Sequence, residues 1–132
     1  MTATGLLDTS VVIDWHDPAV RAALPDEVAI SAITAAELAA GPLLAGDAAE
    51  AARRQARLQE VEATFEPIPF DAAAARSYGL VAAAALGNGP HPRARFADLL
   101  IAATAHTCGL DLYTRNIADF GGLADLIRVV GV

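Results

Sequence analysis

The sequence predicts an α/β fold, a three-layer α/β/α sandwich with a mostly parallel central sheet of four to five short strands. The first observation behind this is that short apolar stretches alternate with longer helix-compatible segments along the whole chain. The second is size: 132 residues are enough for one packed domain, residues 1–132, and too few for two. The third is composition. Hydrophobic residues make up 55% of the chain but aromatics only 5%, and alanine fills the gap, as at Ala72 to Ala75 and Ala82 to Ala85. Alanine favours helices and buries little area, so such a core has to be closely packed.

The elements follow in order. Thr4 to Leu7 reads as a buried strand, followed by Asp8-Thr9-Ser10 and a short helix opening over Val11 to Trp15. Asp17-Pro18 is an N-cap with proline at the first helical position, starting a helix to Leu24. After the Pro25-Asp26 turn, Val28 to Ser31 is a second strand, and Ala32 to Leu44 a helix interrupted near Gly41-Pro42. Gly46-Asp47 opens a long helix to Thr64, with Glu50, Arg53, Arg54, Arg57, Glu60 and Glu62 on its polar face. Phe65 to Phe70 reads as a third strand, placed at an edge by its prolines. Asp71 caps a helix to Leu86, Gly87 to Pro92 is a loop, and Arg95 to Thr107 is a helix ended by Gly109. Asp111 to Thr114 is a strand, Arg115 to Gly122 a loop or helical turn, and Leu126 to Val130 the last strand.

Several chemistries are excluded. There is no lysine, so neither a Walker A phosphate loop nor Schiff-base catalysis is available. A phosphoacceptor or haloacid-dehalogenase-like site on Asp8 would also need a lysine, and the second acid of the latter signature is here Ser10. One cysteine, Cys108, makes no intramolecular disulfide, which fits a reducing cytoplasm. The apolar runs are shorter than the roughly 20 residues that span a bilayer, and the N-terminus carries no leader pattern. A net charge of −7 argues against a basic nucleic-acid surface, unless carboxylates gathered around a divalent cation account for it.

Most of the sixteen acids have plain positions at helix starts, turns or a solvated face. Four do not. Asp8 follows Gly-Leu-Leu at the end of the first strand, and Glu37 interrupts an Ala-Leu segment. Asp98 heads the most apolar helix, and Asp119 lies just past Thr114. In a parallel architecture all four can reach the carboxyl end of the sheet, where working groups collect. Each has a structural alternative. Thr34-Ala-Ala-Glu37 fits a capping box, Asp98 a first-turn acid favoured by the helix dipole, Asp8 a helix cap, and Asp119 a turn. Taken together they favour a cation. Two carboxylates about 4 Å apart repel by about 4 kcal/mol at an effective dielectric near 20, so a cluster needs shared protons or a metal. Hard oxygen donors without a Cys/His set suit Mg²⁺ or Mn²⁺.

Four motifs in order resemble the PIN-domain family, and more narrowly the VapC toxins of bacterial toxin–antitoxin pairs. They are Leu-Leu-Asp8-Thr9-Ser10, Thr34-Ala-Ala-Glu37-Leu, Ala97-Asp98-Leu-Leu-Ile-Ala-Ala-Thr-Ala and Thr114-Arg115-Asn116-Ile-Ala-Asp119-Phe. The resemblance covers almost the whole chain. It implies a Mg²⁺- or Mn²⁺-dependent endoribonuclease whose acidic site maps to Asp8, Glu37, Asp98 and Asp119. Asn116, an aspartate in some relatives, would ligate or orient a water as a neutral amide. It also implies an RNA substrate, a cognate VapB-type antitoxin and a homodimer. On this reading Asp8 and Asp98 are the primary metal ligands, with Glu37 and Asp119 completing the shell or orienting the attacking water. A PIN nuclease of RNA maturation or of DNA, and an inactive PIN-like interaction module, are the alternatives.

Around these acids, the hydroxyls of Thr9, Ser10 and Thr114 can bond a carboxylate or a phosphate oxygen. Arg115 is a candidate for bidentate phosphate contact, with Arg93 and Arg95 as possible helpers. His106 is expected near a helix C-terminus in a structural role, Trp15 in packing, and Cys108 buried and inert.

Overall fold

Alternating side-chain direction along the first strand already divides the molecule in two. The computed structural model describes residues 4–87 and 95–132; the expected loop beyond Gly87, with His91 and Arg93, lies outside the described residues. Its elements are β1 (Thr4–Leu7), α1 (Thr9–Ile13), α2 (Pro18–Ala22), β2 (Glu27–Ile30), α3 (Ala32–Ala40), a 3₁₀ turn (Pro42–Leu44) and α4 (Ala48–Thr64). They continue with α5 (Ala72–Ala85), α6 (Phe96–Cys108), β3 (Asp111–Thr114), a second 3₁₀ turn (Ile117–Phe120) and β4 (Val129–Gly131). Leu6 points into one core with Val81, Ala85, Leu99, Ala102 and Leu112, and Leu7 into a second with Val11, Val20, Ile30, Leu38 and Val61. Helices α5 and α6 therefore cover one face of the sheet and α1, α2 and α4 the other, the expected three layers.

The sheet has four strands in the order β2-β1-β3-β4, every neighbouring pair parallel. From β1 the chain runs outward to β2, then crosses over four helices to land on the other side of β1 at β3. The strand order thus reverses between β1 and β3, and the crevice beyond their carboxyl ends is the natural binding position of such a sheet.

Capping explains where the helices start. The carboxylates of Asp17, Asp47 and Asp71 accept the N–H groups of Ala19, Glu50 and Ala74 at 2.9, 2.8 and 2.9 Å. Gly109, in the left-handed conformation at φ 65°, ends α6 and lets the Leu110 N–H reach back to the Ala105 carbonyl at 2.9 Å.

Three expectations change. The last strand is Val129–Gly131 and does not begin at Leu126, whose N–H turns back to the Leu123 carbonyl at 2.9 Å. Phe65 to Phe70 is not a strand: Ile68 alone bridges to Ser31, through Ile68 N–H to Ile30 O at 2.9 Å and Ala32 N–H to Ile68 O at 2.8 Å. Pro67 and Pro69 flank Ile68, fix φ on either side of it and leave no N–H on the outward side for a further strand. Cys108 is exposed, not buried, because it lies in the final turn of α6, past the buried run from Ile101 to Ala105. Its thiol is nonetheless pushed up by partial burial and then by Asp71. Among the described residues no helix is long and apolar enough to cross a membrane.

Gly5 in β1 leaves room for the ring of Tyr113 on β3, which a Cβ at position 5 would strike while also touching Pro25 Cγ at 3.0 Å. Gly5→Ala is expected to destabilise the fold by about 1–3 kcal/mol through overpacking. A lower urea midpoint with an unchanged slope is the expected result.

Candidate functional site

Asp8 is the fixed point of the crevice. Leaving β1, its backbone N–H still donates to Tyr113 O at 2.8 Å, which locks it to β3. Its side chain is 4% exposed. Oδ1 accepts the Thr9 N–H at 2.9 Å, making Asp8 the N-cap of α1. Oδ2 accepts the hydroxyls of Ser10 and Thr114, both at 2.8 Å. The same hydroxyl oxygens accept the N–H groups of Arg115 at 3.1 Å and Asn116 at 3.0 Å. Ser10 and Thr114 thus spend their single protons on Asp8 and tie the chain after β3 around it. Among the described residues Oδ1 takes one hydrogen bond, which leaves it a lone pair for another partner.

Glu37 is reached from the other side. Thr9 Oγ1 donates to Glu37 Oε1 at 2.7 Å, so the buried Thr34 hydroxyl, 2.9 Å away, must be the donor to Thr9. The capping-box alternative for Glu37 fails. Ser31 is the N-cap of α3, its hydroxyl accepting the Thr34 N–H at 3.2 Å, so Glu37 lies a turn further on and is exposed.

Asp98 sits in the first turn of α6, where the helix dipole favours a negative charge. Its carboxyl is nevertheless pushed up from 3.8 to about 6, first by burial, then by the charges of Asp8, Asp119 and Glu37 in that order, against a weaker opposing pull from Arg95. Four acids that lie at positions 8, 37, 98 and 119 therefore share one electrostatic environment. They are gathered but not closed: among the described residues no three His, Cys, Asp or Glu side chains stand at metal-ligand spacing. A small hard cation that keeps several of its waters fits such a set of oxygen donors better than one needing a dry protein cage.

Asp119 is half-buried on the 3₁₀ turn, whose backbone is closed by Asp119 N–H to Asn116 O at 3.1 Å. Asn116 is exposed and its side chain caps nothing. Arg115 is paired with Asp14 at 3.3 Å, both on the surface. Arg95, weighed above as a helper toward phosphate, is instead 3% exposed and donates to backbone carbonyls. Arg53 and Arg54 both pair with Glu50, as a solvated face would. His106 Nδ1 lies 2.9 Å from Ser77 Oγ across α5 and α6, and Trp15 packs edge-on against Phe65 at 5.6 Å, both as expected.

Asp98 makes stability fall with rising pH. Below about pH 4 it is protonated folded and unfolded, whereas between 3.8 and about 6 only the folded chain keeps the proton. Folding free energy is lost across that window and stays lost above it. Discounting for half exposure and for the helix-end benefit of the charge, Asp98→Asn is expected to stabilise the EDTA-treated protein by about 1 kcal/mol at pH 7.5. Melting curves from pH 4 to 7.5 should show the variant gaining on the wild type as pH rises.

The family profile described as PIN domain matches residues 5–121. Ribonuclease VapC8 of Mycobacterium tuberculosis is 40% identical over 101 residues, 76% of this chain and 89% of that protein. Ribonuclease VapC5 of the same species is 37% identical over 134 residues, 96% of each. Among solved structures, a VapBC-5 toxin–antitoxin structure from M. tuberculosis superimposes with TM-score 0.79 at 34% identity, covering 98% of this chain and 99% of that one. FitAcB from Neisseria gonorrhoeae gives 0.75 at 31%, covering 96% of both. The order of the motifs, the reversed strand order that gathers four acids and these similarities lead to one assignment: the chain belongs to the PIN-domain family and is of the VapC type.

Proposed function

We propose that this chain is the toxin of a VapBC-type toxin–antitoxin pair, an endoribonuclease that needs Mg²⁺ or Mn²⁺ and acts in the cytoplasm. The observation that carries the reading is the meeting of Asp8, clamped by Ser10 and Thr114, with Glu37, Asp98 and Asp119 at one end of the sheet, where burial and then the charges of the other three raise the proton affinity of Asp98. Relatives named ribonuclease support the activity. Asp8 and Asp98 would hold the cation, and Glu37 and Asp119 would complete the set directly or through water. A divalent cation there would supply Lewis-acid polarisation of the scissile phosphate and offset charge at the leaving oxygen. Glu37, exposed and steered by Thr9, orients the attacking water, with the Asn116 amide as a second contact. In-line attack leaves a 5′-phosphate and a 3′-hydroxyl. Thr9, Ser10 and Thr114 act on substrate by keeping the carboxylates aimed. Arg115 reaches a substrate phosphate by exchanging Asp14, a swap with little penalty because exposed ion pairs contribute only about 0–1 kcal/mol.

A VapB-type antitoxin is the partner, as in the complexes of the similar structures. A groove of about 420 Å³ lined by Ile13, Leu38 and Leu44, with Glu37, Glu50, Arg54 and Arg57 as its charged groups, suits an amphipathic segment. Leu80, Leu86 and Phe96, 56%, 60% and 51% exposed, are apolar side chains of α5, its C-cap and α6 available to a second copy in a homodimer.

The test is cleavage of total RNA by the purified chain with Mg²⁺, Mn²⁺ or EDTA, with the new ends sequenced. Cleavage is expected only with metal, and Asp98→Asn should lower it at least about 10²-fold while the fold is kept. Millimolar Mn²⁺ should also raise the wild-type Tm by mass action and leave that of Asp98→Asn nearly unchanged. Cleavage in EDTA would overturn the metal requirement, and none with metal would favour an interaction module instead.

A further inference from the structure

The acids at positions 98 and 119 belong to different segments, yet one side chain touches both segments. Arg95 stands at the N-cap of α6, three residues before Asp98, and is buried to 3% exposure. Its Nη1 donates to the carbonyl of Asp119 at 3.1 Å and lies 3.5 Å from that of Gly121, and its Nη2 donates to the carbonyl of Ala85 at 3.0 Å. Three chain segments therefore meet on one guanidinium: the end of α5, the start of α6 and the 3₁₀ turn.

We propose that Arg95 is a positioning residue that sets the spacing between the Asp98 and Asp119 carboxylates, and through it the affinity for a divalent cation. The inference rests on the cation reading above. Arg95 is tied to Asp119 through the backbone and to Asp98 through three residues of helix, so any shift of its planar head moves one acid relative to the other. The fork is needed because its two nitrogens donate in different directions, to the turn and to α5, which the point-like ammonium of a lysine does not reproduce. Its positive charge also stands close enough to Asp98 to oppose the crowding of like charges there. Arg95 itself touches neither the cation nor the substrate in this scheme. It holds the parts that do, and groups behind metal ligands typically change metal affinity about 10–100-fold when replaced.

The test is Mn²⁺ binding to the full chain, read by electron paramagnetic resonance of free Mn²⁺, for wild type, Arg95→Lys and Arg95→Met. Circular dichroism and melting in EDTA accompany each variant. Folded variants are expected to bind Mn²⁺ about 10–100-fold more weakly, lysine less affected than methionine. For Arg95→Lys the Mn²⁺ concentration giving half-maximal cleavage should rise, with the rate recovered at saturating Mn²⁺. Wild-type affinity in both folded variants would overturn the inference. Full recovery by lysine would reduce Arg95 to a charge and overturn the role of the fork. Failure of both variants to fold at 4 °C would make Arg95 a residue of the fold alone. If one variant folds, that one decides. If the wild type takes up no Mn²⁺, the cation reading falls first and carries this inference with it, an outcome distinct from the others.

Discussion

Repulsion between like charges is the constraint around which the working end of the molecule is built. Four carboxylates are brought to the carboxyl end of one small sheet, where burial and then the charges of the other three push the Asp98 carboxyl up to about 6. The surrounding structure answers this acid by acid. Asp8 receives one backbone and two hydroxyl donors, Glu37 receives Thr9, and Asp98 has the positive end of α6 and the charge of Arg95. These donors hold the groups in place without neutralising them. The tension is therefore retained, as is common where a site is preorganised for a partner absent from the folding reaction.

Parallel topology makes the gathering possible. Because β1 and β3 are neighbours and both point the same way, residue 8 and residue 114 end side by side, and a hydrogen bond joins residues separated by 106 positions. The two hydroxyls on Asp8 then close the chain after β3 into a turn that presents Asn116 and Asp119. The reversal of strand order, the clamp on Asp8 and the placement of Asp119 are thus one arrangement rather than three.

Much of this was legible in the residues. Helix starts at Asp17, Asp47 and Asp71 were readable because an N-cap is a local event, decided by a side chain and an N–H two or three residues on. The four acids stood out because charge interrupting an apolar run has few cheap explanations. What was not legible depended on distant partners. Arg95 resembles a surface cation in the sequence, and only the meeting of α5, α6 and the 3₁₀ turn shows three carbonyls around it. The Thr34-to-Glu37 spacing imitated a capping box, while the true cap, Ser31, was read as the last residue of a strand. Phe65 to Phe70 had the composition of an edge strand, and the prolines that suggested its edge position are also what reduced it to a single bridge.

That bridge has a further consequence. The outer side of β2 would otherwise offer a row of open amides and carbonyls to any extended polypeptide nearby. Ile68 occupies part of that row, and Pro67 and Pro69 on either side of it have no amide hydrogen with which to pass the ladder on. That end of the seam is capped by a segment that cannot itself be a template. Neighbouring molecules at high concentration, or partly opened ones, are thereby denied the carboxyl end of this edge for fibril-like stacking.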